Sequence, residues 1–591
     1  MLALSLCAAL LACGDDGAEA ETGGNEAGDL ELGRIAACEM LQIPPAEGRG
    51  GSWTVEGPTA AIGFDLPADF EAGWLFRVPV VVVDTPMELV SSKGGRVRFT
   101  AEASAPPSGY PEGMAAGCAP FAHGVASGDP SESSVLLWTR LSADMSGRDP
   151  ESEVALQWVL ATDAAFASPV ASGGVLAAAE NDFAVQVEAT GLTPATTYYY
   201  RFKTPDGLLS PVGRTRTAPA AGADHLRLAV VSCSSIYSGF FNGYRRIAER
   251  LDLDGLVHVG DYIYDFVDED EQVRVPDPYP TQPENLVQWR DVHAYHLSDP
   301  DLRAARAAHP WVMLWDNHDV DAGKPEYNGA VQAFREWNPV TPAPSGAGED
   351  VIYRRVAFGD LIDLIVIDVL LFRDQDLVPG SDEPSFLGTA QYDWFTSELQ
   401  NSSARWRIVA NQKPVAPILG LLTVIGGSTW NGYPAARDQL FAFLRDEGIS
   451  NTLFLSGDAH ITVVADLNAT PDDPDAYDPA TGEGSVAAEF QPGSMSRGNV
   501  DEFFPDMPQL PGNLEEQAPG DNPHYRFLDL TRHGYGLMDI TRERIVAELW
   551  YSEILQRSDE ETFAGSLEMR QGTQHWEREV SDTPTSDGDE G

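Results

Sequence analysis

A succession of short, apolar, β-branched runs in this chain each end on a residue able to hold a metal ion. Residues 226–232 run into Cys233, residues 256–260 into Asp261, residues 311–315 into Asp316-Asn317-His318-Asp319, and residues 453–457 into Asp458-Ala459-His460. Residues 361–367 reach Asp368, and residues 407–410 reach Asn411-Gln412, in the same way. Compact runs of this kind predict strands buried on both faces. In open α/β sheets, ligands bind outside the carboxyl ends of such strands. Helical stretches at residues 243–250 and 391–399 alternate with the runs, so the chain from about residue 226 onward predicts an α/β domain. Taken singly, Cys233 reads as a core thiol, Asp261 and Asp458 as helix caps, and Tyr264 as a core ring. Their joint placement at strand ends is what sets them apart.

Upstream, the composition changes repeatedly. Residues 1–13 predict a signal peptide: residues 2–12 are apolar but too short to cross a bilayer. They end in Leu10-Leu11-Ala12-Cys13, which resembles a bacterial lipobox with Cys13 as the lipidated residue. A plain cleaved signal is the alternative. Either implies an exported protein, periplasmic or held at the outer membrane or cell surface as a lipoprotein. Residues 14–33 read as a disordered Gly/Ala/Asp/Glu tether. Residues 34–118 read as a small β-rich extension, with strand-like runs at 74–83 and 95–101 and no assigned function. Residues 119–220 show the short alternating runs and turn punctuation of a β-sandwich. Within them, residues 192–201 resemble the fibronectin type III pattern, in which a tyrosine closes the corner ahead of a late strand. Residues 561–591 read as a frayed acidic tail.

Charge narrows the function. The chain has 38 Lys plus Arg against 91 Asp plus Glu, a formal net charge of −53. Binding of nucleic acid or of anionic membrane through broad electrostatics is thereby excluded, and a lipid at Cys13 is the expected membrane contact. An anionic substrate would need local positive charge from metal ions and a few arginines. With Cys7 and Cys13 assigned to the signal and lipid, Cys38, Cys118 and Cys233 remain. Cys38 and Cys118 are free to pair in an oxidising compartment.

The segments Gly260-Asp261-Tyr262-Ile263-Tyr264, Asp316-Asn317-His318-Asp319 and Gly457-Asp458-Ala459-His460 together resemble the calcineurin-type metallophosphoesterases. A tyrosine at position 264 resembles the tyrosine ligand of the purple acid phosphatases. Cys233 within Ser232-Cys233-Ser234 narrows the resemblance to the alkaline phosphatase D, or PhoD-like, family, over roughly residues 121–551. Residues 121–130, 298–302, 522–524 and 532–535 add to it.

The resemblance implies a multidomain chain: an N-terminal fibronectin type III-like β-sandwich, then a metallophosphatase domain over residues 225–560 built as a four-layer αββα sandwich. It implies Fe3+ on Cys233, Asp261, Tyr264 and His460, with Asp261 bridging to Ca2+, one ion or two, also held by Asn317 and Asp458. His318 is expected to contact the substrate phosphate or protonate the leaving oxygen, with Asp319 orienting its ring. Arg373 and Arg497 are further candidates for holding phosphate. The expected activity is hydrolysis of small phosphate monoesters or diesters by a monomeric enzyme of the alkaline phosphatase type. The alternatives are a phosphodiesterase or phospholipase D-like activity on lipid or polymer esters, and a surface-binding lipoprotein with impaired turnover. Two departures stand out: many relatives carry Asp-Asp-His-Glu where this chain has Asp316-Asn317-His318-Asp319, and the usual Asp-x-Arg reads Asp368-Val369-Leu370.

Overall fold

The computed structural model describes the strands between residues 30 and 101, and then residues 119–142, 153–164, 166–267, 272–277, 279–320, 329–342, 348, 350–373, 380, 386–425, 429–577 and 580–585. The expected signal, the lipobox at Cys13 and the Cys38 and Cys118 thiols lie outside the described residues. The chain divides into two units, residues 1–103 and 104–591.

In the first unit, Leu30–Ile35, Arg96–Ala101, Thr85–Ser91, Ser52–Glu56 and Phe64–Asp65 lie side by side in one sheet, and Met40–Ile43 pairs with Trp74–Arg77. Leu30–Ile35 runs parallel to Arg96–Ala101, and Glu31 accepts from Arg98 at 2.8 Å. The β unit therefore begins inside the stretch expected to be a tether. The partner strand that satisfies its backbone lies about 66 residues away, beyond what local composition reports.

The second unit is organised by two large sheets. In the first, the strand order is Ala184–Thr190, Ser134–Arg140, Val125–Gly128, Pro310–Met313, Gly255–His258, His225–Val231, Gly534–Thr541, Arg544–Ser552 and Glu561–Arg570. In the second it is Arg354–Phe358, Ile362–Val366, Trp406–Ala410, Thr452–Leu455, Ala487–Pro492, Thr462–Leu467 and Tyr525–Asp529. The central strands of each run parallel, as at Leu228 beside Gly255, Leu256 beside Trp311, and Ile408 beside Leu453. Their side chains alternate between two cores. Leu453 and Leu455 join the larger apolar core, with Val230, Leu537 and Phe490, while Phe454 joins a second core with Phe395, Leu399, Leu440 and Leu444 of the helices Thr389–Asn401 and Pro434–Asp446. Burial on both faces is why these runs are predominantly apolar.

The sandwich is not a separate sheet system. Its strands Val125–Gly128, Ser134–Arg140 and Ala184–Thr190 extend the first large sheet, because Val125–Gly128 pairs in parallel with Pro310–Met313. Gly128 sits at this joint, where a Cβ would come within 2.8 Å of the Trp311 carbonyl oxygen. The opposing sheet is Pro169–Ala177, Val154–Ala161, Thr197–Lys203 and Gly213–Arg216. The expected tyrosine corner is present, with the Tyr198 hydroxyl accepting from the Thr193 N–H at 2.9 Å.

The carboxyl end departs from expectation. Glu561–Arg570 is an edge strand paired with Arg544–Ser552, with Leu567 and Met569 buried. Trp576 is buried beyond it and donates from Nε1 to the Glu489 carbonyl at 3.1 Å. Thr585 N–H donates to Glu548 at 2.6 Å. Glu568 and Arg570 alternate with buried Leu567 and Met569, so the charged residues mark the outward face of a strand whose other face is packed.

Candidate metal centre

The loops that leave the carboxyl ends of the parallel strands converge from both sheets. Cys233 follows His225–Val231, Asp261 follows Gly255–His258, and Asp458 and His460 follow Thr452–Leu455. All four lie in the left-handed region, with φ of 55° at Cys233, 54° at Asp261, 66° at Asp458 and 56° at His460. Non-glycine residues adopt such angles at a cost, and clusters of them mark sites where surrounding structure enforces the geometry. The turns are locked: Cys233 N–H donates to Gly260 O at 3.1 Å and Ser234 N–H to Asp261 O at 2.8 Å.

One ligand atom each from Cys233, Asp261 and His460 lies within 4.8 Å of the others. The Tyr264 hydroxyl joins them, 3.2 Å from Asp261 Oδ2 and 3.3 Å from His460 Nε2. His460 Nδ1 lies 3.0 Å from Gly498 O, which assigns its proton there and leaves the Nε2 lone pair to the cluster. Burial, then the Asp261 charge, pushes the Cys233 thiol and the Tyr264 phenol well above their ordinary values. Burial likewise takes His460 down to about 4. A buried thiol, phenol, carboxylate and neutral imidazole pointing at one another form a donor set that suits a highly charged ion able to displace both protons. These residues fit such an ion.

The expected second set behaves differently. Asn317 Oδ1 and Asp458 Oδ1 do come together, but around the ammonium of Lys413. Nζ donates to Asn317 Oδ1 at 2.7 Å, pairs with Asp316 Oδ1 at 2.9 Å, and bonds directly to Asp458 Oδ1. Burial would favour neutral Lys413, but the carboxylates of Asp316, Asp458 and Asp261 outweigh it and raise its pKa. Calcium takes its oxygens at about 2.3–2.6 Å. The space in contact with Asn317 and Asp458 already holds a cation, so this set does not fit the expected Ca2+.

His318 flanks the cluster, its ring stacked on Tyr264 at 4.2 Å. Asp319 does not orient it. The Asp319 carboxylate instead accepts from the N–H groups of Tyr262 at 3.2 Å, Ile263 at 3.0 Å and Asp316 at 2.9 Å, clamping two strand-end loops together. The His318 partner is Asp265, whose Oδ1 lies 2.8 Å from Nδ1. Sequence proximity favoured the adjacent acid, but the turn at Asp316–Asp319 points that acid inward. Burial disfavours the His318 imidazolium, yet Asp261 and Asp265 overcome it and hold its pKa near 9.

Arg497 lies against the cluster, its guanidinium 5.3 Å from the Tyr264 ring centroid and 5.2 Å from that of Phe503, and its N–H donates to Cys233 O. Arg373 is half-buried in the loop following Ile362–Val366. Asp368 is consumed structurally, accepting from Leu370 N–H at 2.7 Å, Leu371 N–H at 3.1 Å and Trp315 Nε1 at 2.9 Å. Three further contributors escaped sequence reasoning. They are Lys413, one residue beyond the noted Asn411-Gln412; Asp265, one beyond Tyr264; and His296, whose Nε2 accepts from the Tyr264 N–H at 3.1 Å. Strand-end position alone was enough to flag Lys413.

A two-sheet α/β core with a cluster of metal-donor side chains at the carboxyl ends of its strands is the architecture of a protein built around a candidate metal centre. The PhoD-like phosphatase family matches residues 228–549, and the N-terminal domain of PhoD-like phosphatases matches residues 106–219. The chain is 33% identical over 468 residues to alkaline phosphatase D of Bacillus subtilis (strain 168), spanning 71% of this chain and 76% of that protein. Among solved structures, that of PhoD superposes with a TM-score of 0.69 at 29% identity, covering 79% of this chain and 93% of the other. This chain belongs to the PhoD-like phosphatase family, and with it to the phosphoesterases.

Proposed function

We propose that the protein is an exported phosphatase that hydrolyses small phosphate monoesters, with Fe3+ held by Cys233, Asp261, Tyr264 and His460. The observation that supports this most is the mutual approach of those four donors, three of them buried and His460 half-buried. When bound, the ion supplies Lewis-acid charge where the phosphoryl group and its attacking water meet. In this reading Arg497, which packs on Tyr264 and Phe503, holds a phosphate oxygen. His318 uses Nδ1 for Asp265, so Nε2 is the atom left to give a proton to the departing alkoxide. A local excess of positive groups is needed because the chain as a whole, at −53, repels its substrate.

Exposed Phe503, stacked on His460 with ring centroids 5.8 Å apart and followed in the chain by exposed Phe504 and Met507, favours a second reading, in which the ester carries an apolar or polymeric group and the enzyme acts as a diesterase. A protein that binds but does not turn over is the third, since Asp368-Val369-Leu370 lacks the arginine seen in many relatives. A panel of aryl monoesters, aryl diesters and phospholipids separates the three. Hydrolysis of the monoester, abolished with the visible absorption band in Cys233→Ala, supports the proposal. Faster diester cleavage selects the second reading, and metal-loaded protein inert toward every ester selects the third.

A further inference from the structure

Lys413 is a charged side chain that the phosphatase reading above does not use, and it occupies a notable place. Its side chain is only 5% exposed. An ammonium carries three N–H donors, and a buried one is tolerated only when paired and fully hydrogen-bonded. Here those donors meet three oxygens on three residues, Asp316, Asn317 and Asp458. The backbone is fixed as well. Lys413 N–H donates to Asn411 Oδ1 at 3.2 Å, and that oxygen also accepts from Trp430 Nε1 at 3.1 Å. The neighbouring Gln412 donates to Trp315 O at 2.9 Å, which ties the two sheets together at this point. The lysine is thus delivered from the second sheet into the loops of the first.

We propose that the Lys413 ammonium stands in place of a second metal ion, so that this centre operates with one ion on Cys233, Asp261, Tyr264 and His460 beside a fixed lysine charge. The inference builds on the phosphatase reading but concerns only what fills the Asp316–Asn317–Asp458 pocket. A divalent ion bound to Asn317 and Asp458 at coordination distance would overlap the Lys413 nitrogen and be repelled by it. Asn317 brings no charge, and the carboxylates of Asp316 and Asp458 are both already bonded to the ammonium. Unlike a metal ion, a lysine has no open coordination position. Its contribution is positive charge that survives chelation.

Metal content tests this without reference to turnover. Wild-type protein purified in calcium-containing buffer is expected to hold one metal equivalent per chain. Its melting temperature is expected to be the same in excess calcium and in chelator strong enough for calcium alone. Lys413→Ala frees three oxygens and is expected to gain a calcium-dependent rise in melting temperature; should it not fold, Lys413→Ser takes its place, and the wild-type measurements decide independently. Two or more equivalents in the wild type, a calcium-dependent melting shift in the wild type, or a folded variant blind to calcium overturns the proposal. An active enzyme with two ions would sink the lysine substitution and leave the phosphatase reading intact. An inert protein with one ion would do the reverse.

Discussion

Nδ1 of His318 lies 2.8 Å from Oδ1 of Asp265. The contact fixes which ring nitrogen remains for chemistry and, with Asp261, raises the imidazolium pKa from 6.5 to about 9. A group raised in this way contributes stability that is complete below about pH 6.5 and is lost as pH climbs through about 9. A step that needs the protonated ring declines over the same upper range. Asp265→Asn removes one raising charge, so both the stability loss and the falling limb of hydrolysis are expected at lower pH. A pH–rate profile and denaturant midpoints taken across that range check this, and an unmoved limb would count against Asp265 as the orienting group.

His318 and Asp319 are separable by their variants. His318→Asn is expected to lower kcat by roughly 10²–10⁴-fold for esters with poor leaving groups, the usual span for losing a general acid, and much less for nitrophenyl esters, whose leaving oxygen needs no proton. Asp319→Ala is expected to act on folding instead. It strands the N–H groups of Tyr262, Ile263 and Asp316, each at about 1–3 kcal/mol when buried, while leaving the upper pH limb where it was. Urea unfolding beside leaving-group plots distinguishes the two.

Gly260 is required by both angle and space. Its φ is 108°, and a Cβ there would approach Asp316 Cβ to 2.7 Å. Gly260→Ala is expected to destabilise by about 1–3 kcal/mol and to push the Asp261 turn away from the Asp316 turn, lowering metal content. Unchanged metal content in a folded Gly260→Ala protein would show that the turn tolerates the shift.

Trp576 tests whether the acidic end is structural. It is buried against Glu489 and Asp466, to which it donates from Nε1 and N. Trp576→Ala is expected to lower stability by about 3–5 kcal/mol, the range for deleting a large buried aromatic. A frayed tail would give no change in the denaturation midpoint.

Much of the site is legible in the sequence. The runs ending at Cys233, Asp261, Asn317 and Asp458 each became a buried strand within two or three residues of the expected bounds. A strand buried on both faces is mostly apolar, its few internal polar residues such as Arg227 and Asp363 being paired within the fold, so a cluster of polar residues at its end stands out in the primary pattern. The tyrosine corner at Tyr198 was legible for a similar reason, because its bond to Thr193 is local.

What the sequence by itself determined is therefore the set of donor types and their location at the carboxyl ends of buried strands. Tertiary structure alone decided which of them touch. Asp265 rather than Asp319 meets His318, because left-handed turns and inward-facing loops are set by contacts between strand ends far apart in the chain. Lys413 rather than a bare pocket meets Asn317 and Asp458, because the lysine leaves a strand of the second sheet beside the one that ends at Asp458, 45 residues on, and reaches across to Asn317 of the first sheet, 96 residues back. The same physics joined the sandwich to the large sheet at Ser127 and Pro310 and turned an acidic tail into an edge strand. Pairing across such distances depends on the whole packed chain, and no local run of residues encodes it.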